Sequence, residues 1–327
     1  MEVLYLSYGV PSIILTLFFL IFLNRSEFKY SFYRILQCDL IVNVFCFLNG
    51  WFSRFSKWTF TAPMMLIVYE NFYFAFHLNS FGINFFYNLQ SMSVIIMSLH
   101  RLSSSEFINA NDVIHRNFMN LNLFLQFWTK YYLPIYILTV STFVCFNLTV
   151  YLGNWTPRPL RYNEPTKVFV SVAAEGPKSV VWAQIFYWMT LTYFLVILLT
   201  NILTIISIKT RYNKKSSSEK TRRMMKNLTI ITGINSSIFF IVFIWQSVGK
   251  GLMELQSYMA TMYLLSDSMT LLLPYMLLVF DRNVRKALAK VIGGQAACLA
   301  KSLGNDSSLI RNTSVVQVVA TNQSMKI

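Results

Sequence analysis

Two acidic residues inside long apolar stretches are the side chains of this chain with the clearest potential for chemistry. Asp39 and Asp267 each lie well within a run of apolar residues. An ionisable group is costly to place there, and it commonly marks a binding pocket or a polar relay. Asn43 follows Asp39 by one helical turn, and we expect both to form a polar network with Ser91. A protonated acid that only ties helices together remains the alternative for both carboxyl groups.

The other residues suited to catalysis or metal binding are poorly placed. His77 and His100 lie about 35 Å apart on one predicted helix, at about 1.5 Å per residue, so they cannot share a metal ion. The sequence contains neither H-E-x-x-H nor G-x-S-x-G, and it has no glycine-rich phosphate-binding loop. We therefore expect the protein not to be an enzyme and to need no cofactor or metal.

Seven apolar stretches, each long enough to cross a membrane as a helix, must position these residues. A helical span needs about 20 residues to cross about 30 Å of hydrocarbon. Hydrophobic residues make up 55% of the chain and charged residues 13%. The sequence therefore predicts an all-α membrane protein, a seven-transmembrane helix bundle. The stretches are residues 5–23, 33–55, 77–100, 132–152, 182–208, 228–248 and 258–280.

Lysine and arginine are concentrated in alternate gaps of this pattern. Of the 28 basic residues, 21 follow stretches one, three, five and seven, and residues 1–4 contain none. Basic residues favour the cytoplasmic side, so the N-terminus is predicted to lie outside and the C-terminus in the cytoplasm. The basic residues that give the chain its net charge of +15 lie next to the membrane segments. It therefore indicates contact with anionic inner-leaflet lipids and not with nucleic acid.

The end of the chain is expected to differ from the bundle. Pro274, followed by Tyr275, removes one backbone hydrogen bond and predicts a bend in the last stretch. Apolar residues at helical spacing after residue 280 predict a short amphipathic juxtamembrane helix on the inner leaflet. We expect residues 1–292 to form the membrane domain and residues 293–327 to be a disordered cytoplasmic tail.

Two positions are candidates for covalent modification. Cys298 follows the basic segment after the last stretch and could be palmitoylated, with a plain free thiol as the alternative. Asn154 begins an N-x-T sequon on the predicted outer side. It lies close to the membrane, so we expect low occupancy by a glycan.

A polar stripe runs along one side of the third stretch, from Ser80 to Ser98. In a bilayer such a side faces other helices or an internal cavity. Interhelical hydrogen bonding that only packs the bundle and a role facing a ligand are equally good interpretations. If a pocket for a small molecule exists there, the residues expected to line it are Phe81, Asn84, Asn88, Trp245, Gln246, Tyr263 and Asp267.

Several strings of residues, in order along nearly the whole chain, resemble the nematode serpentine receptor class gamma family. They are 31–34, 39–43 and 48–51 with Arg54, then 99–102, 127–132, 273–275 and 280–285. The resemblance implies a G-protein-coupled chemosensory receptor that detects an external small molecule. It also implies a location in the plasma membrane, in the membrane of a sensory neuron.

The resemblance further implies partners on the cytoplasmic side. His100, Arg101, Arg222 and Arg223 are expected to contact a heterotrimeric G protein, and arrestin is a candidate partner of the tail. Rhodopsin-like receptors have an acidic residue before the arginine, where this chain has His100, so that acidic lock is missing. A seven-span ligand-gated channel subunit and a non-signalling membrane scaffold remain alternatives. Antibody access to tagged termini distinguishes the receptor from the channel, because the channel class has its N-terminus inside.

Overall fold

The structure is a computed structural model. It describes residues 2–58, 60–107, 118–156, 159–165, 168–170, 177–212, 219–291 and 293. Of these, the residues up to 280 belong to one compact unit, and residues 281–291 and 293 belong to a second.

Helices make up most of the described chain. In chain order they are α1 (Glu2–Phe22), a 3₁₀ turn (Ser26–Phe28), α2 (Ser31–Phe55), α3 (Ala62–Asn71), α4 (Phe74–Phe107), α5 (Phe118–Leu152), α6 (Pro177–Tyr212), α7 (Glu219–Ile244), a π-helical turn (Trp245–Gly249), α8 (Lys250–Leu252) and α9 (Leu255–Phe280). Between α5 and α6, strands β1 (Arg161–Asn163) and β2 (Val168–Val170) pair antiparallel.

Six of these helices are long and apolar enough to cross a membrane. They are α1, α2, α5, α6, α7 and α9, with α7 continuing into the π-helical turn. The helix α3 has 10 residues, which is too short for a span. The prediction of an all-α multi-pass membrane protein is therefore confirmed.

The 34-residue α4 is the seventh long helix, but it is not among the helices apolar enough to count as a span. It packs against α2, α5, α6 and α7, so it is the central helix of the bundle. Asn88 and Ser98 on its polar stripe are 0% exposed, and His100 is 1% exposed. The stripe is buried among helices because polar groups facing lipid would lose their hydrogen bonds.

The two ends of the bundle differ in the side-chain contacts found there. At the end called here the hairpin end, Met65 of α3, Phe76 of α4 and Phe169 of β2 form a buried apolar cluster. At the opposite end, called the loop end, the Ser31 hydroxyl at the start of α2 lies 2.9 Å from Nε2 of His100 in α4. The binding and coupling residues predicted above therefore fall at opposite ends.

The first helix packs closely on α2 and α9. A Cβ added at Gly9 would overlap the indole ring of Trp51, so the approach of α1 to α2 requires glycine there. Tyr5 and Trp51 belong to one buried cluster, and the Tyr5 hydroxyl donates to the carbonyl of Ala260 over 3.3 Å. These contacts bring Tyr8 of α1 within reach of α9.

The described part of the second unit is a helix over residues 282–291. The Asp281 carboxylate caps it, since Oδ1 accepts the backbone N–H of Asn283 at 2.8 Å. Val284 is buried whereas Arg282 and Arg285 are exposed, so the predicted amphipathic helix is present. The domain boundary at residue 292 and the disorder of the tail remain predictions, and Cys298 lies outside the described residues.

Candidate functional site

A cavity of about 450 Å³ lies in the hairpin half of the bundle. Residues of α2, α4 and α9 form most of its wall. The rest comes from Lys57 after α2, Leu160 beside β1, Phe186 of α6, Val242 of α7 and Gln246 of the π-helical turn. Pockets for small molecules commonly measure about 300–1,000 Å³. The cavity is therefore large enough to enclose a small molecule.

The wall of the cavity combines apolar surface with separate polar groups. Met259, Met262 and Met269 of α9 contribute flexible apolar side chains. Such a wall binds an apolar body, while the few polar groups orient it. The polar side chains are those of Asn49, Ser53, Asn79, Ser80, Asn84, Tyr87, Gln90, Gln246, Tyr258, Tyr263 and Ser266, with the cations of Arg54 and Lys57.

Three of the seven residues predicted to line a pocket do so: Asn84, Gln246 and Tyr263. Gln246 lies in the π-helical turn that follows α7. Such turns often occur at functional sites. The sequence has no periodicity that indicates a π-helical turn. The turn was therefore not predicted, although Gln246 was expected to line the pocket.

The prediction that Phe81, Asn88 and Trp245 line the same pocket is corrected by their positions. Asn88 is fully buried and accepts a hydrogen bond from the Tyr193 hydroxyl at 3.3 Å. Phe81 lines a separate apolar groove between α2 and α4. The indole of Trp245 stacks on Tyr258 with 6.2 Å between ring centroids, outside the lining residues. The sequence placed these residues within the predicted spans but could not give their depth or the rotation of their helices.

Asp267 does not line the cavity but pairs with Arg54 beside it. Arg54 donates from Nη1 to Oδ2 at 2.8 Å and from Nη2 to Oδ1 at 2.7 Å. The side chains are 3% and 7% exposed. The Tyr8 hydroxyl also donates to Oδ2. These contacts of Asp267 in α9 join it to Tyr8 of α1 and to Arg54 of α2. Asp267 therefore binds the guanidinium of Arg54 and not, as had been predicted, a ligand.

Sequence reasoning missed the role of Arg54. An arginine near the end of a span ordinarily extends its head group to the interface. Here the guanidinium lies between two aromatic rings, 4.9 Å from the centroid of Tyr5 and 5.1 Å from that of Tyr263. The role of Arg54 could have been inferred from Asp267, because a carboxylate inside the membrane commonly has a basic partner.

A polar network runs from the floor of the cavity along α2. Gln90, which lines the cavity, donates from Nε2 to the side-chain oxygen Oδ1 of Asn43 at 2.8 Å and to the Thr270 hydroxyl at 3.2 Å. Asn43 in turn donates to the Asp39 carboxylate at 3.0 Å. Asp39 and Asn43 are thus in contact, as expected. Ser91 is not in this network, because its hydroxyl donates to the backbone carbonyl of Tyr87.

A second set of hydrogen bonds joins three helices at the loop end. Arg101 of α4 donates from Nη2 to the Asn201 side-chain oxygen of α6 at 3.0 Å. Asn201 donates to the Ser236 hydroxyl of α7 at 2.6 Å. Arg101 is 2% exposed, so in this conformation it does not offer the accessible contact predicted for a partner. Arg222 and Arg223 lie in α7, but their side chains are outside the described residues.

The other predicted positions are the proline of the last span, the glycosylation sequon and any metal site. Pro274 lies inside α9, which is helical from Leu255 to Phe280, and the Tyr275 hydroxyl lies 2.8 Å from that of Ser12 in α1. Asn154 is exposed and has a φ of 58° in the turn after α5. Its glycosylation remains a prediction. Within the described residues, no group of three His, Cys, Asp or Glu side chains could hold a metal ion.

Gly82 allows the close approach of α2 and α4 at the cavity wall. A Cβ at this position would lie 2.5 Å from Oδ1 of Asn49, whose backbone oxygen accepts a 2.7 Å hydrogen bond from Asn79. We expect Gly82→Ala to destabilise the protein by about 1–3 kcal/mol through overpacking. The measurement is the Tm of the purified protein in detergent.

The matched control for Gly82 is Gly233→Ala in α7, where an added Cβ meets no atom within 4 Å. Alanine is favoured over glycine in a helix by about 1 kcal/mol, so this variant should be as stable as the unmodified protein or more stable. Equal Tm values for the two variants would contradict the close contact at Gly82.

Comparison with known proteins identifies the family. Residues 3–288 match the family model described as Srg family chemoreceptor. The chain is 26% identical over 287 residues to serpentine receptor class gamma-53 of Caenorhabditis elegans, covering 87% of this chain and 90% of the relative. It is also 26% identical over 305 residues to serpentine receptor class gamma-47 of the same organism, covering 89% and 90%. This match over nearly the whole chain means that the chain belongs to the Srg family of chemoreceptors, a family of receptors.

Proposed function

We propose that this chemoreceptor binds an external small molecule in the cavity at the hairpin end and signals through a heterotrimeric G protein at the loop end. The observation that carries the proposal is the cavity of about 450 Å³, which is lined by residues of helices from across the chain. Lys57 lines it and is exposed, so the cavity extends to the surface of the bundle. We place the protein in the plasma membrane of a sensory neuron.

The proposed orientation puts the hairpin end outside and the loop end in the cytoplasm. The support is the excess of basic residues in the segments that adjoin the loop end. Arg282, Arg285 and Lys286 are exposed on the helix over 282–291 and suit anionic inner-leaflet lipids. An epitope tag at the N-terminus that is accessible in unpermeabilised cells would support this orientation, and an inaccessible one would refute it.

Transmission would proceed through helices that both ends share. Helices α4, α6 and α7 contribute to the cavity wall, and Arg101, Asn201 and Ser236 tie the same three helices together at the loop end. A ligand can shift their packing only by binding one arrangement more tightly than another. In the favoured arrangement the tie at Arg101 would open and expose the surface for the G protein, with arrestin as a further partner at the tail.

Responses of cells that express the receptor to a chemical panel test this function, with calcium and cyclic-nucleotide levels as readouts. For any agonist found, we expect Asn84→Leu and Gln246→Leu to lower potency about tenfold or more. Losing one ligand hydrogen bond costs about 1–3 kcal/mol, and about 1.4 kcal/mol corresponds to a tenfold change in affinity.

The matched control is Thr142→Val on α5. Thr142 is exposed on the bundle, and its hydroxyl donates to the Leu138 carbonyl of its own helix. Its agonist potency should equal that of the unmodified receptor. The pocket assignment fails if both cavity variants also respond normally at equal surface expression.

A further inference from the structure

The charges that face the cavity are unbalanced. Arg54 and Lys57 lie in its wall, and none of the described residues that line it is acidic. Asp267, the carboxylate that the sequence suggested for the pocket, lies outside the lining and neutralises Arg54. The cavity surface therefore carries positive charge, which is the opposite of what an Asp267-lined pocket would present.

Lys57 supplies this charge. It lies two residues beyond the end of α2, in a turn where its backbone N–H donates to the Arg54 carbonyl at 2.8 Å. Its ammonium donates to the Tyr263 hydroxyl at 2.7 Å and lies 5.4 Å from the ring centroid. Among the described residues no carboxylate pairs with Lys57, since the one ion pair found there joins Arg54 and Asp267.

Arg54 retains an unused donor. Its two terminal nitrogens bond Asp267, but its Nε is buried and has no hydrogen-bond partner within the described part of the chain. A buried N–H of a charged group without an acceptor is costly, so an acceptor that reaches it is bound favourably. A ligand oxygen at Nε would leave both hydrogen bonds to Asp267 intact.

We propose that the cavity binds a small molecule that carries one anionic group, a carboxylate, sulfate ester or phosphate, held by Lys57 and by Nε of Arg54. Hydrogen bonds between ionised partners are about twice as strong as neutral ones, which makes this pair the main anchor of the ligand. The apolar body of the ligand then packs against Met262 and Met269. This inference rests on the proposed function, because it assumes that the cavity is the ligand site.

Matched pairs of compounds test the proposal. Aliphatic and aromatic carboxylic acids, with the corresponding sulfate and phosphate esters, are compared with the primary amides and amines of the same carbon skeletons. The responses are measured in cells that express the full chain. Binding is measured separately as the ligand-induced rise in Tm of the purified protein, because a ligand that binds the folded state stabilises it. We expect responses and Tm shifts for anionic compounds and not for their amides or amines, and the preferred anion identifies the head group.

A charge-removing variant completes the test. We expect Lys57→Gln to lower the potency of anionic agonists about tenfold or more, and Lys57→Arg to retain it, because the cation is kept. The control is Lys178→Gln, since Lys178 is exposed at the same end, donates to the Gly153 carbonyl and lies outside the cavity wall. It should leave potency unchanged.

The possible outcomes separate this inference from the proposed function. Responses that require Asn84 but come equally from amides or amines overturn the anion site and leave the cavity as the ligand site. Unchanged potency of anionic agonists in Lys57→Gln overturns it as well. A receptor at the cell surface that neither binds nor responds to compounds of any charge class contradicts both proposals.

Discussion

Replacing Asp267 with alanine is expected to destabilise the protein by about 3–5 kcal/mol, because it leaves the Arg54 guanidinium buried without its counter-ion. Arg54 is 3% exposed, so water solvates the guanidinium poorly once the carboxylate is lost. The same change removes the acceptor of the Tyr8 hydroxyl and loosens α1 from α9. A lower Tm of the purified protein in detergent and reduced surface expression are the measurements.

The double variant Arg54→Met/Asp267→Leu is the control for this prediction. Replacing both partners of a buried ion pair by apolar residues of similar size is often neutral or stabilising. We therefore expect it to recover most of the Tm lost in Asp267→Ala. It should not recover responses to anionic ligands, because Nε of Arg54 is gone. An Asp267→Ala protein as stable as the unmodified one would show that the pair does not hold α2 and α9 together.

The second large effect is expected at Asn201, where an acidic residue should act as a lock. Asn201→Asp places a carboxylate 3.0 Å from the Arg101 guanidinium in place of an amide oxygen. A hydrogen bond between charged groups contributes about 1.5–3 kcal/mol, against about 1 kcal/mol for a neutral one. If activation requires this contact to open, agonist potency should fall about tenfold, since about 1.4 kcal/mol corresponds to a factor of ten. Dose–response curves at matched surface expression measure the change.

Two further variants isolate the Arg101–Asn201 contact. Asn201→Ala should shift basal signalling upward, because α4 loses its bond to α6 and the Ser236 hydroxyl loses its donor. Arg101→Gln/Asn201→Asp removes the attraction between opposite charges, so it should not show the suppression seen in Asn201→Asp alone. Suppression of the same size in the double variant would show that the lock does not involve Arg101.

The polar stripe on α4 shows how far sequence reasoning reached. Its spacing predicted that Asn84 and Asn88 face inward, and the structure agrees. They nevertheless differ in role, because Asn84 lines the cavity whereas Asn88 is buried between helices and bonds Tyr193 of α6. The two residues are separated along α4 by about one helical turn, or about 5.4 Å, and this difference in depth decides which of them lines the cavity. That depth depends on where the neighbouring helices leave space, which periodicity does not record.

The intramembrane acids show the same division. The contact between Asp39 and Asn43 follows from their spacing of one turn on α2, so it was predicted from the sequence. The contact between Asp267 and Arg54 joins residues 213 positions apart and depends on the rotation of both α2 and α9. Local spacing therefore identified the first pair, whereas only the structure showed that Asp267 pairs with Arg54 and does not line the cavity.

The sequence by itself determined that this is a multi-pass helical membrane protein, because span length and apolarity are properties of continuous segments. Its motifs were also enough to indicate the receptor family. Only the tertiary structure decided which polar groups meet: Arg54 with Asp267, Arg101 with Asn201, and Gln90 with Asn43. The physical reason is that each of these pairs joins two different helices, whose relative rotation and depth are set by the packing of the whole bundle.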